Sequence, residues 1–474
     1  MEWGEMRLGR SGKMRRLSGP AGMLGLKLLG MRFERGKGGS HPSPTMNRLS
    51  ISLLASVALV SSLHAENWPQ FRGPDGSAAA PEGANIPTEW SAKKNVKWKR
   101  ALPGPGSSSP IFWGNKLFVT CYSGYGTDKK EIGEAKDLGR HLVCIDRSNG
   151  DVLWTKSIEV ENKEDPYRGY LMEHGYASAT PTTDGEQVYV FVGKSGVQAF
   201  TMEGKRVWRT SVGTKSSNRK WGSAASPVVC QDLVIVNAAD EARAIIAFDR
   251  KTGDEKWRYD ETKNLELAFA TPLLNKGADG RDELVLSIPF ELFALDAMTG
   301  KQRWIARTDM PGNVTPGVVI TKDYICAFGG YPRTTSIGLK RGGTGDVTKA
   351  LAWKSKITTY VPTPLAYKDH LYWVNDSAQV VSMEIATGTV VTKRTVEGIE
   401  RSKRFSFYAS MVRVGDKLFA VSRHNGTFVF EANPQLKKLA QNKLDDRSDF
   451  SGTPALAKDA IYLRSGKFLY CIAE

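Results

Sequence analysis

The chain of 474 residues is globular in composition, and its 47 glycines and 12 tryptophans point to many turns joining aromatic-rich strands. The formal net charge of +16 is unevenly placed: residues 1–65 carry ten Lys/Arg against Glu2, Glu5 and Glu34, and the remaining surplus is spread along the chain without a long basic block. That dispersion argues against a nucleic-acid footprint, which concentrates on one face. Five cysteines with no Cys-x-x-Cys and no adjacent pair argue against a thiol-redox or cysteine-ligated metal site.

Residues 1–45 are rich in Gly and Arg and show no periodic apolar face. They read either as a leader upstream of a true start at Met46 or as a disordered basic tail. From Met46 the run "MNRLSISLLASVALVSSLHA" gives a basic Arg48, an apolar stretch from Leu49 to Val60 and small or polar residues up to Ala65. This is the layout of a secretory signal peptide over 46–65, and its apolar stretch is too short to span a bilayer. Residues 66–89 form an N-terminal segment in which Trp68, Phe71 and Arg72 either pin the segment to the body or make a partner-binding arm.

From residue 90 to 474 an internal repeat organises the chain. Ser109-Pro110, Thr180-Pro181, Ser226-Pro227, Thr271-Pro272, Thr315-Pro316, Thr363-Pro364 and Thr453-Pro454 each precede a β-branched and aromatic run, and Ser410-Met411 completes the series with Met in place of Pro. After a first interval of 71 residues the starts lie 43 to 48 residues apart, the size of one four-stranded propeller blade. Eight starts predict an all-β fold, an eight-bladed propeller of four-stranded antiparallel blades. The last unit stops after its third strand at Glu474, and "NVKWKRAL" upstream of the first start supplies the missing fourth, so the two termini close one blade. A ring without open edges predicts a monomer.

Within the units, "CIDRSNGDVLW", "AFDRKTGDEKW" and "ALDAMTGKQRW" place Asp146, Asp249 and Asp296 eight residues before Trp154, Trp257 and Trp304, with Gly150, Gly253 and Gly300 between. The Asp accepts backbone N–H groups across a bend and the Gly supplies a positive φ. Constant spacing predicts one structural place for the indole, so Trp98, Trp154, Trp208, Trp257 and Trp304 are assigned to blade docking rather than to ligand stacking. Among the cysteines, Cys144, Cys230 and Cys471 sit in apolar runs as small hydrophobes, and Cys121 with Cys144 is the pair that an oxidising compartment would allow to bridge neighbouring strands.

Three irregular stretches are candidates for binding. The insertion after the first unit crowds Tyr167, Arg168, Tyr170, Glu173, His174 and Tyr176 together, either to line the channel mouth and grip a polar ligand or to pack over the first blade seam. The fifth unit carries Arg333, Lys340 and Arg341 among glycines, an anion cradle or a wide hairpin. "NKGADGRDE" gathers Asn275, Asp279, Asp282 and Glu283, which calcium would accept but which lack EF-hand spacing; a solvated turn is the favoured reading and no metal site is assigned.

The Thr-Gly-x-x-x-Trp spacing, the Ser/Thr-Pro starts and "LVCIDRSNGDVLW" resemble the tryptophan-docking propeller repeats of quinoprotein alcohol dehydrogenases. "NWPQFRGPDG", "EHGYASATPTTDGEQVYVFVGKSGVQAF", "WGSAASPV" and "YVPTPLAYKDHLYWVND" resemble the secreted bacterial PQQ-binding-like β-propeller repeat proteins. The dehydrogenase side of the resemblance implies pyrroloquinoline quinone (PQQ) with calcium, clamped under adjacent cysteines, and an alcohol or sugar substrate. Those cysteines are missing here, no cofactor is established, and the calcium ligands and base do not map onto the chain. Related propellers also include a pure scaffold of outer-membrane assembly. The expectation is therefore a binding or scaffolding module, periplasmic or extracellular in a bacterium, that presents a face or its channel to an envelope protein, peptide or glycan, with no nucleic acid and no transmembrane span.

Overall fold

The second and third strands of each unit are runs of apolar residues with almost no polar interruption, as a strand must be when a neighbour covers both of its faces. Leu233–Ala238 is buried at all six positions, and Ala244–Asp249 at all but the last. The outer strand of the same blade, Glu255–Tyr259, buries only Trp257 and Tyr259. A computed structural model describes residues 66–400 and 405–474; the leader and signal peptide expected within residues 1–65 lie outside the described residues.

Eight sheets form the ring. Blade 1 pairs Ile111–Trp113, Lys116–Ser123, Gly139–Asp146 and Val152–Ile158 in chain order. Blades 2 to 7 begin at Thr182–Thr183, Val228–Cys230, Leu273–Lys276, Val319–Ile320, Leu365–Tyr367 and Val412–Val414. Blade 8 combines Ala455–Leu456, Ile461–Arg464 and Phe468–Ile472 with the N-terminal strand Val96–Ala101, which pairs antiparallel to Phe468–Ile472. The expected closure by the two termini is thus present. One apolar cluster runs from blade 7 through blade 8 into blade 1, carrying Phe419, Tyr462 and Val119.

Two contacts recur at the seams between blades. At the inner edge, the backbone N–H of one repeat's Ser or Thr donates to the hydroxyl of the next: Ser109 to Thr180 Oγ1 (2.9 Å), Thr180 to Ser226 Oγ (3.0 Å), Ser226 to Thr271 Oγ1 (3.0 Å), Thr363 to Ser410 Oγ (2.9 Å) and Ser410 to Thr453 Oγ1 (3.0 Å). At blade 5 the donor shifts to Gly317, which reaches Thr363 Oγ1. At the outer edge, each indole donates to a carbonyl in the next blade's turn: Trp98 to Arg147, Trp154 to Met202, Trp208 to Arg250 and Trp257 to Ala297, at 2.9 to 3.2 Å. Trp353, which the spacing rule did not single out, makes the same bond to Ile385.

The turn glycine is required by this contact. Gly253 has φ +78°, and a Cβ there would stand 2.6 Å from the ring of Trp208. Asp249 Oδ1 holds the bend by accepting the N–H of Lys251 and Thr252, and Asp146 and Asp296 act likewise.

Blade 4 keeps its four antiparallel strands and gains a fifth: the wide hairpin of blade 5 sends Gly345–Asp346 to pair in parallel with Trp304 and Ile305, replacing the tight turn on which Trp304 would dock. One expectation is corrected. Cys121 and Cys144 do not bridge. Their strands pair Cys121 with His141 and Cys144 with Phe118, three rungs apart, and both thiols are free and buried. Among the described residues, no helix is long and apolar enough to cross a membrane.

Gly253→Ala and Gly280→Ala have the same φ of +78°, but nothing lies near Gly280. Each should lose about 1 kcal/mol to the left-handed backbone, and Gly253→Ala a further 1–3 kcal/mol, on the order of an overpacked core site. Urea unfolding of the two variants measures the difference; equal losses would contradict the docking role of the glycine.

Candidate functional site

The antiparallel order puts the turns after the first and third strands of every blade on one face, and the connections after the second and fourth on the other. The N-terminal segment occupies the first face. Trp68 bridges Phe112 of blade 1, Pro69 accepts from Thr183 of blade 2, and Ala80 donates to Arg413 of blade 7. Arg72 is fully buried between them. Its guanidinium donates to the carbonyls of Gly76, Thr363 and Pro364 at 2.8 to 3.0 Å, and burial, only partly offset by the charge of Asp75, lowers its pKa to about 10. Beneath it, between Pro227, Thr271, Gly317 and Thr363, remains a space of only about 30 Å³.

The insertion between blades 1 and 2 occupies the opposite face. Positive-φ Gly169 and Gly175 bracket its single helical turn, Leu171–His174. Buried ion pairs Arg140–Glu164 (3.0 Å) and Lys194–Asp165 (3.2 Å) anchor its base. From there it reaches across the axis: the Tyr170 ring lies 4.7 Å from Trp221, 6.0 Å from Tyr360 and 5.8 Å from Phe405, residues of the connections entering blades 3, 6 and 7. Glu173 accepts from Lys129 (3.0 Å) and from Arg423 of blade 7 (2.9 Å), and Arg423 also holds Asp449 and covers the ring of Tyr408. The insertion therefore caps the channel mouth.

The six residues singled out there separate into distinct roles. Tyr167 and Tyr176 pack with Tyr125 and Tyr122, and the Tyr176 hydroxyl donates to the Asp165 carbonyl. Arg168 is exposed, and Tyr170 stands at the mouth. His174 is enclosed, with Nε2 donating to the Trp221 carbonyl (3.0 Å) and Nδ1 2.5 Å from Ser178 Oγ; burial lowers its pKa to about 4. Glu173 faces Arg423 instead of His174, so the pair does not assemble as a base and its orienting acid.

The other candidate clusters are also resolved by geometry. Arg333 lies in the bend just before the strand Thr335–Lys340 and Lys340 ends that strand, so the two stand at opposite ends of it. Arg341 donates to the carbonyls of Thr321 and Lys276 and to Asn275 Oδ1, pinning the wide hairpin to blade 4. Asp279 pairs with Arg281 and Arg303, Glu283 with Arg303, and Asp282 with Lys276. Among the described residues no group of three or more His, Cys, Asp or Glu is placed to hold a metal ion.

Beside Tyr170 the capped face opens into a cavity of about 620 Å³ walled by Tyr170, Trp221, Tyr331, Tyr360 and Phe405, within the range of about 300–1,000 Å³ usual for ligand pockets. Arg219, Lys356 and Lys393 also line it, with Asp376 as the carboxylate. Sequence reasoning found Tyr170 but missed the other four rings, which come from four separate connections and share no local motif.

Fold and repeat together define the class: an eight-bladed β-propeller built from PQQ-like repeats. The model of the family described as outer membrane protein assembly factor BamB matches residues 140–394, more than half of the chain, and the chain belongs to that family. Its structure is similar to BamB from Moraxella catarrhalis, at 13% identity and a TM-score of 0.55 over 79% of this chain and 96% of that one. It is likewise similar to the quinohemoprotein alcohol dehydrogenase from Comamonas testosteroni (10% identity, TM-score 0.57, 86% of this chain and 80% of that one). A europium-containing methanol dehydrogenase gives 11% identity and a TM-score of 0.57 over 86% and 98%. At these identities the likeness is one of fold. No curated protein sequence matches the chain.

The calcium-held quinone of the dehydrogenases does not fit the residues gathered at either mouth. The space under Arg72 is far smaller than a tricyclic ring, and at the other mouth Glu173 and Asp449 are tied to Arg423 while Glu241 is sealed against the Ser223 hydroxyl. No step through that group is derived.

Glu241 is fully buried, and burial, with neighbouring Asp240 adding to it, raises its pKa to about 8 from an ordinary 4.5. Because the folded chain holds this proton more tightly than the unfolded one, its contribution to stability is lost as pH rises from about 4.5 through about 8. Glu241→Gln keeps an acceptor for Ser223 and removes the titration. Urea midpoints across that range should fall with pH in the parent and flatten in the variant; identical slopes would contradict the assignment.

Proposed function

We propose that the chain is a binding or scaffolding module of the cell envelope that works through its insertion-capped face. The observation that carries this reading is the cap itself. Tyr170, Glu173 and Arg423 tie the insertion across the channel, and the cavity beside it collects five aromatic rings and three cations from separate blades. Such a surface binds and orients a ligand. His174 is enclosed, with the Trp221 carbonyl and the Ser178 hydroxyl as its partners, and does not line the cavity.

Membership in a family named for an outer-membrane assembly factor supports an envelope protein as one class of partner, and the signal-peptide pattern over 46–65 supports export. The closed blade 8 supports a monomer, since no sheet edge is left for self-pairing at the junction of the termini.

The competing function, a quinone-dependent dehydrogenase, is separated by a titration of the full chain with pyrroloquinoline quinone, with and without Ca²⁺, followed by thermal unfolding. A ligand that binds only the folded chain stabilises it by about 2.7 kcal/mol at a hundred times its Kd. The binding-module reading expects a flat midpoint. A calcium-dependent rise with quinone would replace it by the dehydrogenase reading.

A further inference from the structure

We propose that the cavity beside Tyr170 is a saccharide site for an acidic glycan, one whose sugar rings carry carboxylate groups. The inference rests on the reading of the insertion-capped face as the working face, and adds to it the chemistry of the ligand.

The walls come first. Trp221 and Tyr170 lie 4.7 Å apart at 40°, Tyr360 meets Tyr170 edge-on at 6.0 Å, and Tyr331 packs on Tyr360 at 5.9 Å. The rings brace one another, so they form a fixed shelf and lose little freedom when a ligand arrives. Tyr331 is 52% exposed, and Tyr170, Trp221, Tyr360 and Phe405 are partly so. Large aromatic surface left open in a cavity, beside polar groups, suits a ligand with apolar C–H faces and a polar periphery. A pyranose ring is such a ligand.

Polar groups stand where ring hydroxyls would meet them. The Tyr360 hydroxyl accepts from Asn313 Nδ2 (3.0 Å), which leaves its own proton to donate. Gln379 accepts from Asn375 through Oε1 (3.2 Å), and among the described residues its amide nitrogen donates to none.

Charge then selects the class of sugar. Among the described residues Arg219, Lys356 and Lys393 enter no ion pair, whereas nearby Lys354 is paired with Asp309. Arg219 lies over the Trp221 ring, 5.7 Å from its centroid, at the edge of the shelf. Against these three cations the cavity offers the one carboxylate of Asp376. Carboxylates on the rings would give each of these exposed cations a charge-assisted contact that a neutral saccharide does not supply. An acidic peptide would satisfy the cations but would leave the shelf without a matching face.

The test is calorimetric titration of the full chain with an oligogalacturonate, with the same oligosaccharide after reduction of its carboxyl groups, and with poly-glutamate. The oligogalacturonate should bind, and the reduced form and poly-glutamate should each bind at least tenfold more weakly. Trp221→Ala should weaken binding at least tenfold. Because Trp221 also packs on Phe269, the exposed pair Lys356→Ala and Lys393→Ala provides a second arm whose folding is not at risk, and each should weaken binding several-fold and reduce its salt dependence. Absence of oligogalacturonate binding at millimolar concentration, equal binding of the reduced sugar or of poly-glutamate, or unchanged binding in the lysine variants would overturn the proposal. With the quinone titration still flat, such a failure removes the ligand class and leaves the binding module; a quinone response removes both.

Discussion

Six of the eight seams between repeats are fastened by a hydroxyl at the inner edge, and most of the ring by an indole at the outer edge. The inner bond explains why Ser or Thr begins the units at Thr180, Ser226, Thr271, Thr363, Ser410 and Thr453. Its oxygen accepts the N–H of the preceding unit's equivalent residue, and Ser410 keeps this bond although Met411 stands in the place of proline. Each bond contributes only about 1 kcal/mol, but together they fix the spacing of blades around the axis. Arg464, wholly buried, donates to Ser108 and draws blade 8 onto blade 1 at the seam where the termini meet.

A ring held in this way leaves its connections free to differ, and the two longest additions to the repeat settle at opposite mouths. The N-terminal segment inserts Arg72 into the inner edge of blade 6, and three backbone carbonyls replace the water its guanidinium gives up. The insertion after blade 1 closes the other mouth with tyrosines and a carboxylate clasped between Lys129 and Arg423. The open cavity lies beside this cap, next to Tyr170.

The architecture was legible because a propeller repeats its grammar: the Ser/Thr-Pro period gave the blade number, the Asp-to-Trp spacing gave the docking turns, and the unfinished last unit gave the closure. Trp353 escaped because the wide hairpin preceding it breaks the Asp-to-Trp spacing. The same hairpin removed the turn expected under Trp304 and added a parallel strand to blade 4. The cavity was less legible. Tyr170 stood out through local crowding, but Trp221, Tyr331, Tyr360 and Phe405 lie on connections 29 to 110 residues apart in sequence order and meet only because the ring brings them together. His174 and Glu173 show the converse: adjacent in sequence, they turn to different partners because one side chain is drawn inward to Trp221 and the other outward to Arg423.

The central claim is that the insertion is a built cap and not an open loop over an axial site. Hydrogen exchange of the full chain tests it most directly, read at the amides of Tyr167, Glu173 and Gly175, which donate to the Tyr125 hydroxyl and to the carbonyls of Tyr170 and Leu171. Protection approaching that of the inner strands is the result the account predicts. Exchange at the rate of a free peptide would contradict it and return the channel mouth to contention as the working site.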